Sequence, residues 1–402
     1  MRILIIPSFL FTKKRKTLAS FVFEQAVALH RAGNDVCILY CDTYSVKELS
    51  EFLRYREETV SMVDGVRIIR DRCFCPGKHD SGFKGCREAF AERILRLYES
   101  YLAEETFDVI HAHFCAWAGY AAMHLSAQTG IPYVITEHAT RFALRPGTIR
   151  GKEAAALREA FSNAKKTICV SPALEQQIQS FTGNTTVIGN VIDCGLFRPG
   201  AGKPTGHPYT FLTVCHLETK AQLHKKGIDI LLNAFRQLTA AHPHVRLQIG
   251  GGGSAVPLVK QWIARRGLQK TVALLGPLSR AEVAGAMQRC DAFVLPSRYE
   301  TFGVVCAEAM ACGKPVIGTR TGGLDGFMQE TGGLLVDAGD TEQLAGAMEQ
   351  LLRVSGACDP EKIRRQIVQR FSMEEISAQL TAVYEAAAGR QVQKQDGLEA
   401  DP

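Results

Sequence analysis

The chain of 402 residues is longer than one typical domain, and its composition, 46% hydrophobic and 22% charged, is that of an ordinary globular protein. Its formal net charge of +6 is too small to indicate nucleic-acid binding by bulk charge. No apolar run approaches the roughly 18 residues that cross a bilayer, which argues against an integral membrane protein. We therefore expect two globular domains of about 150 to 200 residues each.

The thirteen cysteines contain no C-x-x-C motif, and the lone C-x-C of Cys73 and Cys75 has no histidine at zinc spacing. An odd number of scattered thiols favours a reducing compartment, so a cytoplasmic location is expected. The apolar N-terminal run is interrupted by Pro7 and followed by TKKRK. It is interpreted as a buried strand rather than a signal peptide.

The first half of the chain alternates between apolar, strand-like runs and stretches with helical periodicity, which is typical of parallel α/β layers. One amphipathic helix, closed by Gly33, is predicted over 19–33. Strands are predicted at 2–9, 35–41, 107–114, 132–138 and 167–172. These elements predict a doubly wound, Rossmann-like N-terminal domain over residues 1–197.

Two basic stretches in this half are candidates for contact with an acceptor or a membrane. The loop after the first strand carries Lys13, Lys14, Arg15 and Lys16, which either bind a lipid diphosphate or an anionic surface or form a solvated loop. The segment 73–102 mixes basic and apolar residues. It is interpreted as a helix with a core-facing apolar side in preference to a membrane-docking element.

Glycine and proline crowd together between residues 189 and 208, which indicates a linker. A second α/β series over 198–370 predicts the C-terminal domain. A further helix is predicted over 371–389, and 390–402 is expected to be a disordered tail. Two doubly wound domains leave a cleft between the carboxyl ends of their strands, which is the usual ligand site of such folds.

The stretch RYETFGVVCAEAMACGKPVIGT, residues 298–319, predicts a helix that begins at this cleft and leads into a strand. With Thr301 as N-cap, the helix is expected to start near Phe302. Its free N–H groups would form a phosphate site, which Gly303 leaves open because it has no side chain.

Two carboxylates, Glu300 and Glu308, flank this helix start with seven residues between them. Their expected separation of roughly 10 to 12 Å along the axis suits the two ends of a nucleotide diphosphate sugar. Solvated acids favoured by the helix dipole are the alternative. For Glu308, which lies in an apolar helix, an unpaired charge would be costly, so a ligand or a buried partner is expected.

The same stretch resembles the E-x7-E signature of retaining, nucleotide-sugar-dependent glycosyltransferases of the GT-B fold, in particular glycosyltransferase family 4 (glycosyl transferases group 1). Further segments match that family in order, namely DVIHAHF, GIPYVITEH, AKKTICVSPALEQQI, VIGNVIDCGLFRP, KKGIDILLNAF, LLGPLSRAEV and the closing FSMEEI helix. The resemblance covers nearly the whole chain. It implies an α/β, GT-B architecture, in which two doubly wound, Rossmann-like domains face a central cleft and the helix 371–389 crosses back to the first domain.

The resemblance also implies a catalytic set of His138, Glu300 and Lys226. Glu300 would contact the hydroxyls of the donor sugar, and Lys226 would neutralise the donor phosphates. His138 would lie at the cleft edge near the reacting carbon and the acceptor. Its neighbours Glu137 and His111 are interpreted as architectural hydrogen-bonding residues, as is His113.

For the donor, the resemblance implies that Glu308 holds the ribose and that the backbone at Phe302, Gly303 and Val304 follows the sugar and diphosphate. Gly251, in GGGGS, matches a turn near the nucleotide, although tight strand-to-helix turns need glycine in any case.

The family's usual phosphate-clamp arginine has no counterpart here, because Cys215 and His216 stand in its place and extra residues precede the lysine. His216, Lys220 or Lys225 are candidates to replace it. For Lys220 and Lys225, solvated loop positions are the favoured interpretation.

No D-x-D motif or metal-ligand cluster is found in the sequence, so metal-independent transfer without a cofactor is expected. The leading hypothesis is a retaining hexosyltransferase that moves a sugar from a nucleotide sugar to a glycan or lipid-linked acceptor in surface polysaccharide or glycolipid biosynthesis. Peripheral association with the inner face of the cell membrane and no nucleic-acid partner are expected.

Three other functions stay open as alternatives. A nucleotide-sugar isomerase and a nicotinamide-dependent oxidoreductase share similar domains, but the first strand is not followed by G-x-G-x-x-G, which disfavours the oxidoreductase. The third alternative is a catalytically silent GT-B binding partner, which the altered phosphate clamp would favour.

Overall fold

Two sheets, one in each half of the chain, organise the fold in the computed structural model. The structure describes residues 1–12, 19–54, 58–75, 84–144, 146–200, 207–328, 332–354, 356 and 358–390. The loop positions Lys13, Lys14, Arg15 and Lys16 and the expected tail from residue 391 onward lie outside these residues.

The first sheet is built from the N-terminal half. Its strands are β1 (Arg2–Pro7), β2 (Asp35–Tyr44), β3 (Val60–Val63), β4 (Val66–Phe74), β5 (Val109–His113), β6 (Tyr133–Glu137), β7 (Lys166–Cys169) and β8 (Thr185–Val187). Among the described residues they follow the order β3-β4-β2-β1-β5-β6-β7-β8. Every neighbouring pair is parallel except β3 with β4, which form an antiparallel edge.

The second sheet is built from the C-terminal half and is parallel throughout. Its strands are β9 (Thr210–Val214), β10 (Arg246–Gly250), β11 (Val272–Gly276), β12 (Ala292–Val294), β13 (Val316–Thr319) and β14 (Gly333–Val336), in the order β11-β10-β9-β12-β13-β14. The central strands of both sheets are apolar runs because helices cover both of their faces.

The helices connect and cover these strands. They are α1 (Ser20–Arg31), α2 (Leu49–Arg54), α3 (Lys84–Tyr101), α4 (Tyr120–Thr129), α5 (Arg141–Leu144), α6 (Gly151–Asn163), α7 (Pro172–Ile178), α8 (Lys220–Lys225), α9 (Ile228–Ala241), α10 (Val256–Arg265), α11 (Arg280–Arg289), α12 (Val304–Ala311), α13 (Asp325–Met328), α14 (Thr341–Arg353), α15 (Pro360–Phe371) and α16 (Met373–Ala387). A π-helix at Cys115–Gly119 precedes α4.

The last helix, α16, returns to the first domain after the second sheet is complete. It packs along α1, where Arg31 contacts the sulfur of Met373 at 3.4 Å. The fully buried hydroxyl of Tyr384 lies 2.7 Å from Nδ1 of His111 on β5. This helix therefore joins the end of the chain to the centre of the first sheet.

Helix α3 places its apolar side on the first sheet, over β2 and β4. Phe90 and Ile94 are fully buried, and Leu97 is nearly so. The interpretation of this segment as a core-facing helix agrees with that packing for residues 84–101.

Among the described residues, none of the helices combines the length and the apolar character that crossing a bilayer requires. All thirteen cysteines are free thiols.

Candidate active site

A buried ion pair between Lys226 and Glu300 lies at the carboxyl end of the second sheet. The ammonium nitrogen of Lys226 is 2.5 Å from Oε1 of Glu300, and the hydroxyl of Ser297 donates to the same oxygen at 2.7 Å. Their side chains are 25% and 11% exposed. The fold therefore brings together Lys226, which the resemblance assigns to the donor phosphates, and Glu300, which it assigns to the donor sugar.

The electrostatics of this pair keep both groups charged. Burial alone would raise the pKa of Glu300, but the positive charge of Lys226 and the hydrogen bonds outweigh it and hold the pKa below its usual range. Burial likewise opposes the charge of Lys226, and Glu300 reverses that effect, so the lysine pKa is raised. A carboxylate and an ammonium are thus available together in a half-enclosed site.

The helix of the quoted stretch, α12, begins two residues later than expected. Gly303, with φ of 87°, is its N-cap, and the prediction of a Thr301 cap with a start near Phe302 was wrong. The Phe302 ring is buried and packs against the rings of Phe327 and Phe371 at 5.3 and 5.1 Å. Only the backbone at 302 is therefore open to a role in donor binding.

The N-terminal end of α12 is shaped by close backbone approaches. A Cβ on Gly303 would lie 2.1 Å from a methyl carbon of Leu324, and one on Gly323 would lie 2.4 Å from the carbonyl oxygen of Glu300. Val304 is half-buried as the first helical residue. The free N–H groups at the start of α12 belong to residues that closely follow Glu300 in the chain.

Glu308, about one turn into α12, is completely buried and has the partner that its apolar helix required. Its Oε1 accepts a hydrogen bond from Nη1 of Arg280 at 2.6 Å. Its other oxygen is buried and has no hydrogen-bond partner among the described residues. Burial raises the pKa of Glu308, and Arg280 opposes that rise only in part.

The extra residues before Lys226 form the short helix α8, which the sequence did not predict. Thr219 caps it by accepting from the N–H of Gln222, and Lys226 is its C-cap residue. Lys220 is exposed, as expected for a solvated position. Lys225 is half-buried, and its ammonium donates to the hydroxyl of Thr140 in the first domain at 3.2 Å, which differs from the solvated loop position that the sequence favoured.

The substitutes for the missing arginine are thus not equivalent in position. His216 is exposed in the loop after β9. Gly251, with φ of 129°, follows β10, and a Cβ there would lie 1.9 Å from the carbonyl oxygen of Cys215. The glycine is therefore required by the packing of two strand-end loops, whatever its contact with a nucleotide.

His138 lies on the opposite, N-terminal side, two residues before Thr140. Its Nε2 is 3.0 Å from Nδ1 of His113, and its ring lies 4.9 Å from the ring of Phe114. Burial lowers the pKa of His138 to about 3, so the imidazole is neutral at physiological pH. It is suited to hydrogen bonding with a substrate rather than to carrying a charge.

Glu137 holds this strand end in place. Its carboxylate accepts backbone N–H groups of His138 and Ala139 at 2.8 Å each and of Cys115 at 3.0 Å. His111 similarly bridges Thr136 and the hydroxyl of Tyr384 at 2.6 and 2.7 Å. These contacts agree with the architectural interpretation of both residues.

A cavity of about 770 Å³ opens beside His138 in the first domain. It is walled by the aromatic rings of Phe9, Phe114 and Trp117 and bordered by the polar side chains of Ser8 and Asp42. Phe114 has φ of 70°, a strained conformation for a residue other than glycine. The cavity has the size of a small-molecule site.

Sequence reasoning missed two hydrogen-bond partners of the acids Glu300 and Glu308. Arg280 lies in the family-like segment LLGPLSRAEV but carried no signal for a contact with Glu308, and Ser297 lies just before the quoted stretch.

Within the described part of the chain, no group of three or more His, Cys, Asp or Glu side chains could hold a metal ion.

Comparisons with known sequences cover both halves of the chain. The sequence profile of the glycosyl transferases group 1 matches residues 217–370, and that of glycosyltransferase family 4 matches residues 18–196. A D-inositol 3-phosphate glycosyltransferase of Corynebacterium urealyticum is 28% identical over 363 residues, which cover 81% of this chain and 82% of that protein. A glycogen synthase of Mycobacterium tuberculosis is 27% identical over 72% of each chain.

Solved structures match nearly the whole length. Sucrose-phosphate synthase from Thermosynechococcus elongatus has a TM-score of 0.77 at 21% identity, over 96% of this chain and 99% of that chain. Anabaena HepE, solved in complex with UDP and glucose, has a TM-score of 0.70 at 19% identity, over 96% of this chain and 100% of that chain. These matches confirm the expected GT-B fold with its two parallel α/β domains.

Proposed function

Because the chain belongs to glycosyltransferase family 4 of the GT-B type, we propose that it moves a hexose from a nucleotide diphosphate sugar to a glycan or lipid-linked acceptor with retention of configuration. Surface polysaccharide or glycolipid biosynthesis is the proposed setting, in the cytoplasm at the inner face of the membrane. The loop Lys13 to Lys16, which would meet that membrane, lies outside the described residues, so its role stays a prediction.

The observation that carries the proposal is the buried pair of Lys226 and Glu300. A donor diphosphate offers Lys226 a second anionic partner, and the hydroxyls of the donor sugar offer Glu300 hydrogen-bond donors. The contact of Lys225 with Thr140 supports this arrangement, because it sets the lysine-bearing segment against the loop that follows His138. Donor and acceptor would therefore meet between these two segments.

The proposed reaction breaks the bond between the anomeric carbon and the diphosphate oxygen and forms a bond from the same carbon to the acceptor oxygen on the same face. The acceptor proton passes to the departing phosphate oxygen. Lys226 and the N–H groups at the start of α12 would stabilise the negative charge that develops on the diphosphate. No metal ion takes part in this proposed step. The neutral ring of His138 would hydrogen-bond at the reacting centre.

The acceptor is proposed to occupy the cavity beside His138. Its aromatic walls would pack against the flat faces of a sugar ring or an apolar chain. Among the structural neighbours, HepE is described in complex with UDP-glucose. This supports a nucleotide sugar as the donor class here and leaves base and sugar to experiment.

The proposal is tested by measuring donor binding and donor hydrolysis with UDP, GDP and ADP sugars in the presence of a chelator. The native chain is expected to bind one donor and to cleave it slowly. Lys226→Met should reduce hydrolysis at least about 100-fold, the range found when one charge-stabilising donor is removed from a transition state. Glu300→Gln should also reduce hydrolysis, because it removes the charged acceptor for the hydroxyls of the donor sugar. Lys220→Met, on the exposed side of α8, is the matched control and should behave as native.

Other outcomes identify the alternatives. Tight donor binding without hydrolysis or transfer would favour a silent binding partner. Conversion of one nucleotide sugar into another without loss of the nucleotide would favour an isomerase. Activity that needs an added divalent ion would overturn the metal-independent mechanism.

A further inference from the structure

A single guanidinium, that of Arg280, links the two domains beside the buried Glu308. Its Nη1 donates to Oε1 of Glu308 at 2.6 Å, and its Nη2 lies 2.6 Å from Oε1 of Glu24. Glu24 belongs to α1 of the first domain, whereas Arg280 and Glu308 belong to α11 and α12 of the second. The guanidinium carbon also lies 4.7 Å from the ring centroid of Phe197, in the segment that joins the domains.

This cluster is largely shielded from water. The side chain of Glu308 is 0% exposed, that of Glu24 is 14% exposed, and that of Arg280 is 25% exposed. One cation therefore faces two acids, and the charge of Asp193 also acts on Glu24 from the joining segment. Burial raises the pKa of Glu24 to about 8, and the negative charge of Glu308 adds to that rise, so one proton is shared in the cluster at neutral pH.

The cluster is also incomplete. Oε2 of Glu308 and Oε2 of Glu24 are each buried and have no hydrogen-bond partner among the described residues. A buried carboxylate oxygen without a donor is costly, so a ligand hydroxyl that reached Oε2 of Glu308 would gain a strong hydrogen bond. That hydrogen bond would favour the ionised form of Glu308 and tighten its contact with Arg280.

We propose that Arg280 is a positioning residue that orients Glu308 toward the ribose of the donor and, through Glu24, couples nucleotide binding to the docking of the two domains. The proposal rests on the proposed function, since it takes Glu308 as the ribose-binding residue. Coupling of this kind is reciprocal: contacts that hold α1 against Arg280 strengthen nucleotide binding, and nucleotide binding stabilises that contact by the same factor.

The first test measures binding of UDP, GDP and ADP by titration calorimetry to the native chain and its variants. We expect Arg280→Gln to weaken binding about 10-fold or more and Arg280→Lys to restore part of it, in the range typical of coupled sites. Glu24→Ala, which changes only the other domain, is expected to weaken binding about 5-fold. In turnover, these losses should fall on KM for the donor rather than on kcat.

The protonated form of Glu24 gives a second readout. Glu24→Gln keeps a neutral group of the same size, so it should bind as tightly as native at pH 7. Above pH 8 the native carboxyl ionises and its contact with Arg280 gains a full negative charge, so native binding should strengthen while that of Glu24→Gln stays constant. Gln177→Leu, which removes an interdomain contact with the hydroxyl of Tyr299, is the matched control. It should leave nucleotide affinity unchanged.

Hydrogen exchange reports the coupling directly. Nucleotide should slow exchange in α1 of the native chain and not in that of Arg280→Gln at nucleotide saturation. Native-like nucleotide affinity in both Arg280→Gln and Glu24→Ala, or equal protection of α1 in both chains, would overturn this proposal and leave the transferase assignment intact. No binding of any nucleotide by the native chain would overturn both.

Discussion

At the scale of single residues, three histidines near the candidate active site are expected to stay neutral at pH values well below the usual pKa of histidine. Burial lowers the pKa of His111 and His138 to about 3, and it lowers that of His113 well below the usual range. In a chain labelled at the imidazole nitrogens, their NMR signals should keep neutral positions from pH 8 to pH 5. The ring of His216, whose pKa burial and the charge of Lys226 also lower but which is not completely enclosed, is the internal comparison and should titrate at higher pH than these three. Protonation of His138 above pH 5 would contradict this prediction.

The same shifts make stability depend on pH. The unfolded chain takes up protons on these histidines as pH falls below about 6.5, whereas the folded chain does not until about pH 3, so stability is lost across that window. The raised pKa values of Glu24, Glu137 and Glu308 act in the opposite direction, since ionising them costs folding energy as pH rises.

A difference measurement separates these effects. Between pH 6 and pH 4, urea unfolding of His138→Asn should lose stability less steeply than native, by about 1.4 kcal/mol per pH unit, which is the value for one proton. Equal slopes for the two chains would show that His138 binds its proton in the folded state.

At the scale of elements, the start of α12 shows what a sequence pattern reveals and what it leaves out. The helix itself was predictable from its apolar period, and so was its place at a strand end. Its first residue was not, because Thr301 has the side chain of a typical N-cap, whereas the actual cap, Gly303, is fixed by its positive φ and by its distance to Leu324. That distance depends on a loop 21 residues further along the chain.

Gly303→Ala tests this helix start. Its left-handed φ costs an alanine about 1–2 kcal/mol, and overpacking against Leu324 costs about 1–3 kcal/mol more, so we expect a clear loss of stability in urea unfolding together with weaker donor binding. The control is Gly346→Ala in α14, where a Cβ meets nothing within 4 Å. It should be neutral or stabilising by up to about 1 kcal/mol, since alanine favours the helix. Equal stability of the two variants would mean that neither the φ of residue 303 nor its contact with Leu324 constrains the start of α12.

At the scale of the whole molecule, the contacts that sequence reasoning could not supply are those between distant segments. The strands and the crossing helix follow from local patterns and the family resemblance, which also assigns Glu300 and Lys226 to one donor site, whereas their direct ion pair was not predicted. Arg280 with Glu24, and Lys225 with Thr140, are joined only by the folding of one domain against the other. One hydrophobic core also spans the two domains. It combines side chains of the N-terminal half with side chains of the C-terminal half, such as Met287.

The crossing helix α16 gives the last prediction. Tyr384→Phe keeps the ring in the core but removes the hydroxyl that lies 2.7 Å from Nδ1 of His111. Leaving a buried nitrogen without its partner should cost about 1–3 kcal/mol in the free energy of unfolding. Tyr101→Phe is the matched control, since that side chain is 46% exposed, and it should change stability little. Nucleotide affinity should be the same in both variants, because the proposed donor site lies in the second domain. If Tyr384→Phe unfolds at the same urea concentration as the control, the hydrogen bond does not hold α16 to the first sheet, and the apolar face of the helix, with Ile376 and Leu380, carries that attachment alone.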